Sequence, residues 1–176
     1  MRSRFLPEGR LLHTPENEAA CASRDGLRRA MEEETVLEGV AQLCDGAHNL
    51  LVSVGPFTGF LPREEAALGI AEGTTREIAI LSRVGKPVCF QITALEESEG
   101  VLRPRLSRRR AQQAALDAML AGLHPGCILP AVVTHLESFG AFVDIGCGVP
   151  SLIGIENISV SRIPHPDQRF RVGQAI

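Results

Sequence analysis

Phe139 and Phe142 are the residues of this sequence best suited to one defined piece of chemistry, the stacking of flat aromatic ligands. They bracket a Gly140-Ala141 pair and lead into Val143-Asp144, so the segment reads as a turn followed by a strand. Along a strand successive side chains point to opposite faces, which sends Ala141, Val143 and Ile145 inward and Phe142 and Asp144 outward. An outward phenylalanine forgoes roughly 1.5–3 kcal/mol of burial. A base stacked on the ring, worth about 1–3 kcal/mol, would offset that loss. Alternation alone leaves a second reading open, in which a ring caps the end of its own β-structure or packs on a neighbouring domain. The chain has no Trp, no Tyr and seven Phe, so any stacking platform must be built from phenylalanine or histidine. His135, near the end of the preceding strand, is the third candidate, although a lone histidine is commonly incidental.

Positive charge is the second resource. Arg162, Arg169 and Arg171 follow the last recognisable strand and could hold phosphates through salt-dependent, sequence-independent contacts; solvated loop arginines are the equally ordinary reading. The densest cluster is Arg103, Arg105, Arg108, Arg109 and Arg110, a possible track for an RNA backbone, a docking patch for an acidic surface, or a solvated helix start. The formal net charge of the 176-residue chain is only −3, which excludes a uniformly basic nucleic-acid binder and confines any such role to local patches. Lys86 is the single lysine, a bias that base composition of a genome can produce.

Other chemistries find little footing. Gly85-Lys86 has Ile80 where a phosphate loop needs its upstream glycine and Pro87 after the lysine. Gly146-Cys147-Gly148 has Ser151 where a dinucleotide site needs its third glycine. No nucleophile elbow or paired-histidine metal motif is present. The expectation is therefore no enzyme, no cofactor and no metal. The five cysteines, at 21, 44, 89, 127 and 147, are odd in number and widely spaced, which suits reduced, mostly buried thiols rather than disulfides or a zinc site. Met1 to Gly9 has no apolar stretch long enough for a signal peptide, and no window approaches the roughly 18 apolar residues of a membrane span, so a cytoplasmic location without membrane contact is expected.

These residues need elements to position them. Thr14-Pro15-Glu16 and Ser23-Arg24-Asp25 read as helix starts, the second followed by Leu27, Ala30 and Met31 at helical spacing. Short β-runs follow at 36–43, 50–54 and 57–61, with an Asp45-Gly46 turn and a Gly55-Pro56 break. Residues 62–70 look helical, 75–84 are ambiguous, 86–95 resume a strand, 96–100 form an acidic turn, and 101–106 complete a five-stranded unit. Ser107 caps a helix to about Ala121, closed by Gly122, with Ala111, Ala114, Ala115 and Met119 inward. The β texture then repeats at 128–136, 141–145 and 150–155, in the order already seen at 36–61, so an internal repeat is the simplest reading.

Residues 126–176 closely resemble an S-one domain, the RNA-binding oligonucleotide-fold (OB-fold) barrel named after the largest protein of the small ribosomal subunit. The resemblance rests on Phe139-Gly140-Ala141-Phe142-Val143-Asp144, the glycine bend at 146–148, Leu152-Ile153-Gly154-Ile155, and Arg169-Phe170-Arg171-Val172-Gly173. Residues 35–108 look like a divergent copy: His48-Asn49-Leu50-Leu51 stands for Phe139-Gly140-Ala141-Phe142, while Gly59-Phe60-Leu61-Pro62, Val84-Gly85-Lys86 and Leu106-Ser107-Arg108-Arg109 fall where the family pattern expects. The whole is similar to bacterial ribosomal protein S-one.

The resemblance implies a mainly β protein of two five-stranded OB-fold barrels of S-one type, the second truncated, with N-terminal and linker helices. The expected boundaries are a helical lead-in at 1–34, a divergent barrel at 35–107, a linker helix at 108–122 and an incomplete S-one domain at 123–176. Gly154 stands where family members commonly carry a histidine of the RNA face. The sequence stops at Ile176, where the fourth strand should begin, so the expectation is a fragment of a longer protein.

On function, the resemblance implies binding of single-stranded RNA, messenger or ribosomal, in translation, through Phe139, Phe142, His135, Arg162, Arg169 and Arg171. Arg103, Arg105, Arg108 and Arg109 are assigned to a backbone or partner patch, and small-subunit ribosomal proteins are possible partners. The first barrel lacks both exposed phenylalanines, and Phe57 and Phe60 read as core or interface. The competing class is a protein-docking module with slight RNA contact.

Overall fold

The computed structural model describes residues 5–176; the first four residues of the expected lead-in lie outside the described residues. Two short helices open the chain. Helix α1 (Pro15–Cys21) starts where Thr14 caps the amide of Asn17 and proline takes the first turn. Helix α2 (Arg24–Glu32) starts where Ser23 caps Gly26 and buries Leu27 and Ala30.

Five strands then close a barrel in the order β1-β2-β3-β5-β4: β1 (Leu37–Cys44), β2 (Leu50–Val54), β3 (Phe57–Leu61), β4 (Pro87–Ser98) and β5 (Val101–Ser107). Closure comes from the parallel pair Phe60 with Arg105 between β3 and β5, and from β1 lying antiparallel to β4. This is the OB-fold connectivity. The barrel is filled by alternate residues: Leu50, Val52 and Val54 of β2, Val88, Phe90 and Ile92 of β4, and Leu106 of β5 are all buried. Gly59 leaves room for Leu106 inside it: a Cβ there would stand 2.6 Å from Leu106 Cδ1 and would have to displace that side chain.

Two expectations about this half change. Residues 62–70 form only a single 3-10 turn at 63–65, and the following connection holds one turn of helix, α3 (Ile78–Leu81). Strand β4 runs through the acidic segment to Ser98, so the turn is confined to Glu99-Gly100, both with positive φ. Acidic side chains on the exposed end of a strand are solvated without ending it, and the hairpin turns only where φ must be positive.

Helix α4 (Arg108–Gly122) is capped by Ser107, whose hydroxyl accepts from the Arg110 amide. It buries Ala111, Ala115 and Met119 as expected, Ala114 is half-buried, and Gln112 is buried as well. The helix packs on β4 and shares a small core with Cys89, Cys147 and Val149, so it is a wedge between the two halves.

The second half is a three-stranded antiparallel sheet, β6 (Val132–Glu137), β7 (Gly140–Asp144) and β8 (Pro150–Gly154), where the sequence predicted a first strand from 128. Ile128 is instead 93% exposed in an extended lead. Ala131, Val133 and Val143 make its core, with Leu136, Ile153 and Phe170 packed against them. It is not a closed barrel.

The internal repeat holds in the hydrogen bonding. Pairing of β1 with β2 shifts between Ala41 and Leu43, and pairing of β6 with β7 shifts between Val133 and His135. The Gly85 amide donates to Ala41 O at 2.7 Å, and the Gly173 amide donates to Val133 O at 2.7 Å. Val40 pairs with Pro87, the first residue of β4, and Val132 forms a bridge with Ala175. The last residues of the chain thus occupy the place of the opening of the fourth strand.

Candidate nucleic-acid interface

Sheet register sets the site. His135 on β6 lies opposite Phe142 on β7, which lies opposite Leu152 on β8, so three flat or apolar side chains form a row across the outer face. The ring centroids of His135 and Phe142 are 6.2 Å apart and tilted by 32°. Phe139, 54% exposed at the turn, meets Phe142 edge-on at 6.1 Å and 86°. Such an edge-to-face pair is a favoured aromatic geometry; Phe139 is exposed, whereas Phe142, expected to be exposed, is half-buried between its neighbours. His135 donates from Nε2 to Glu137 Oε1 at 2.7 Å, which limits its rotation. Leu152, 48% exposed, extends the row and was not anticipated; its alternation with inward Ile153 was the signal that could have found it.

Arg162, Arg169 and Arg171 are exposed, and none of the ion pairs among the described residues uses them. Their charge is free to meet an anion. The Arg103 to Arg110 cluster does not form one surface. Arg103 and Arg110 are exposed, Arg105 pairs with Glu96 at 3.5 Å and lies over the Phe60 ring, and Arg109 pairs with Glu72 at 2.5 Å. Arg108 is a correction: it is buried, and its Nε and Nη2 donate to the two oxygens of Glu8 at 2.6 and 2.9 Å. A guanidinium held in this bidentate way is spent on the fold.

Of the two readings open for Phe60, core or interface, the structure excludes the core. Phe60 sits half-buried on the outer face of the first barrel, in the row Leu43, Leu51, Phe60, Arg105, which matches His135, Phe142, Leu152 by register. The first barrel thus keeps the position of the platform but not its rings, and Arg105 covers the one phenylalanine. Phe57 does pack against the core.

Asp144 is a second correction. It leaves the same face as Phe142, as alternation requires, yet it is buried because the N-terminal segment lies over it. The Glu8 amide donates to Asp144 Oδ2 at 2.7 Å, while the Gly146 and Gly148 amides donate to Oδ1. The glycine bend is needed here: Gly148 has φ +75°, and a Cβ on it would collide with Arg108. Gln112 completes the junction, donating to Gly148 O and accepting from the Leu68 amide.

Glu8 is the residue that sequence reasoning missed. Its carboxylate takes Arg108, Arg83 at 3.1 Å and the Cys89 amide on the side of the first half, while its own amide reaches Asp144 of the second, so this one residue ties the two together. Burial works against its charge, but Arg108 and Arg83 more than offset that and hold its pKa below the usual carboxylate range. Burial pushes Asp144 and Glu38 upward instead; Glu38 anchors the same N-terminal segment through the amides of Gly9, Leu11 and Leu12. A lone Glu in an N-terminal segment carries no periodic or motif signal.

Of the cysteines, 21, 89 and 147 are buried, Cys44 is half-buried and Cys127 exposed, all free. Burial pushes the Cys21 thiol up to about 11, which makes it a poor nucleophile. Among the described residues no helix is long and apolar enough to cross a membrane.

Residues 123–176 match the family model described as S1 RNA binding domain. Small ribosomal subunit protein bS1 of Neisseria meningitidis serogroup B is 27% identical over 156 residues, covering 85% of this chain and 26% of that protein. The bS1 protein of Mycobacterium tuberculosis is 28% identical over 174 residues, 96% of this chain and 34% of that one, and that of Streptococcus pneumoniae is 32% identical over 93 residues, 53% and 23%. The chain therefore spans about a quarter to a third of the length of these relatives. The solution structure of GSP13 from Bacillus subtilis overlaps with a TM-score of 0.33 at 18% identity, over 54% of this chain and 62% of that one. Residues 123–176 are thus similar to the S1 RNA binding domain family, and the chain is similar, over most of its length, to the bacterial ribosomal protein bS1.

Proposed function

We propose that this chain binds single-stranded RNA, messenger or ribosomal, on the outer face of β6, β7 and β8, and that it acts in translation in the cytoplasm as a binding protein without catalytic chemistry. The observation that carries the reading is the contact of Phe142 with both Phe139 and His135 on one exposed sheet face. Stacking on such rings is tolerant of sequence because every base offers a flat face. Arg162, Arg169 and Arg171 supply phosphate contacts, and the family of domains matched by residues 123–176 is one of RNA binders. Gly154 narrows the platform on the β8 side, which Leu152 partly fills.

The test is fluorescence anisotropy of a labelled single-stranded RNA at low and moderate salt, with the chain and its Phe139→Ala, Phe142→Ala double variant. Salt-sensitive binding is expected in the parent, with a loss of tenfold or more, on the order of 1–3 kcal/mol per ring, in a variant whose circular dichroism is unchanged. No binding by the parent at either salt would overturn the reading and favour a protein-docking module, with small-subunit ribosomal proteins as the first partners to try.

A further inference from the structure

The outer face of the second sheet does not end at the ring row. Phe142 and Asp144 share that face two residues apart, about 7 Å along the strand. Beside Asp144 the face runs into a cleft of about 340 Å³ between the two halves of the molecule. That volume lies in the lower part of the range of roughly 300–1,000 Å³ for small-molecule sites. One wall comes from the second sheet, through Thr134 and Pro150; the other comes from the connection between β3 and β4, through Thr75, Ala79, Ser82 and Arg83. Cleft and platform are joined directly: Thr134 precedes His135, and its hydroxyl donates to Phe142 O at 3.2 Å.

The chemistry of the cleft is mixed in a useful way. Aliphatic wall from Ala79 and Pro150 suits the flat face of a base, and the Thr75, Ser82 and Thr134 hydroxyls, which donate to the carbonyls of Leu68, Ala79 and Phe142, can accept from a ribose hydroxyl or a base amine. The guanidinium of Arg83 is bonded through Nη1 to Glu8, yet the side chain is 23% exposed, so it still presents charge at the rim for a phosphate. The buried Glu8 and Arg108 beneath neutralise each other and leave the cleft without a strong field of either sign.

We propose that this cleft holds the nucleotide adjacent to the one stacked on Phe142, so that residues of the first half contribute to the RNA site of the second. The inference rests on the RNA reading of the ring row. It assigns to the connection between β3 and β4 a contact role that neither sheet carries alone, and it makes the fixed placement of the two halves part of recognition.

The experiment measures affinity for oligouridines of increasing length with the full chain, with Phe142→Ala, and with Ser82→Trp and Ala79→Trp, which fill the cleft from its exposed rim and from its wall. The parent should gain roughly tenfold at one step of the series, when the oligonucleotide becomes long enough to occupy both places. Each tryptophan variant should lose that step while keeping the parent's affinity for shorter oligonucleotides, whereas Phe142→Ala weakens all lengths. Photo-crosslinking with 4-thiouridine should mark residues 75–83 as well as 135–142. Loss of binding in Phe142→Ala with tryptophan variants of parental affinity at every length, and crosslinks confined to 135–142, would overturn the cleft assignment alone. Parental binding in Phe142→Ala would overturn the platform beneath it.

Discussion

At the scale of single residues, the account turns on which side chains are free and which are committed. Phe142 is in ring contact on both sides but is not part of the core that Val133 and Val143 form. Phe142→Ala should therefore lower RNA affinity by about 1–3 kcal/mol while changing the thermal midpoint little, as measured by anisotropy and by melting followed with circular dichroism. Glu8 is the opposite case, a buried carboxylate between Arg108 and Arg83. Breaking such a pair leaves uncompensated charge and costs about 3–5 kcal/mol, so Glu8→Gln should shift the urea midpoint far more than Phe142→Ala. The pH dependence has a defined sign. With its folded pKa held below the ordinary 4.5, Glu8 contributes fully above that value and loses its contribution as pH falls through the lower folded value. The gap in stability between the parent and Glu8→Gln should accordingly be full at neutral pH and shrink below about 4.5. Asp144 and Glu38, raised by burial, work the other way, contributing most below the ordinary carboxylate range and losing that as pH rises through their folded values.

At the scale of elements, the strands were legible and the junction was not. Residues 50–54 and 57–61 emerge with the bounds read from alternation and turn residues, because each has one face in a barrel and the period of two survives. The helix caps Thr14, Ser23 and Ser107 were legible for the same kind of reason, a local hydrogen bond made by a residue beside its partner. Residues 62–70 misled because their apolar positions Ala66, Ala67 and Ile70 serve the barrel core without a helix of their own. Asp144 misled because alternation gives the direction of a side chain and says nothing of what covers it. The ring platform was readable from spacing, but the part of the site that faces the first half depends on Glu8, Gln112 and Gly148 meeting across large sequence separations. Gly148→Ala tests that junction: its positive φ and the Arg108 guanidinium leave no room for a methyl group. It should destabilise by about 1–3 kcal/mol and split one melting transition into two, seen by calorimetry, if the halves lose their shared core.

At the scale of the whole molecule, a chain of net charge −3 is proposed to bind a polyanion, which it would do through a few unpaired cations rather than by being basic. Six of the twelve described arginines of the first half are tied to Glu8, Glu72, Glu77, Glu96 or Glu97, whereas all of Arg162, Arg169 and Arg171 are outside such pairs. If those three meet phosphates, log affinity should fall with log salt at a slope of about −2, and the triple Arg→Gln variant should bring the slope near zero. The repeat places different side chains on one strand pattern. At matched register positions the first copy carries Leu43, Leu51 and Phe60 under Arg105, and the second carries His135, Phe142 and Leu152. The most direct test of the central claim is an amide chemical-shift titration of the isotope-labelled chain with a short single-stranded RNA. The expected result is a contiguous set of shifts on β6, β7 and β8 centred on His135, Phe139 and Phe142. Shifts confined to the outer face of the first barrel, or none at saturating RNA, would contradict it.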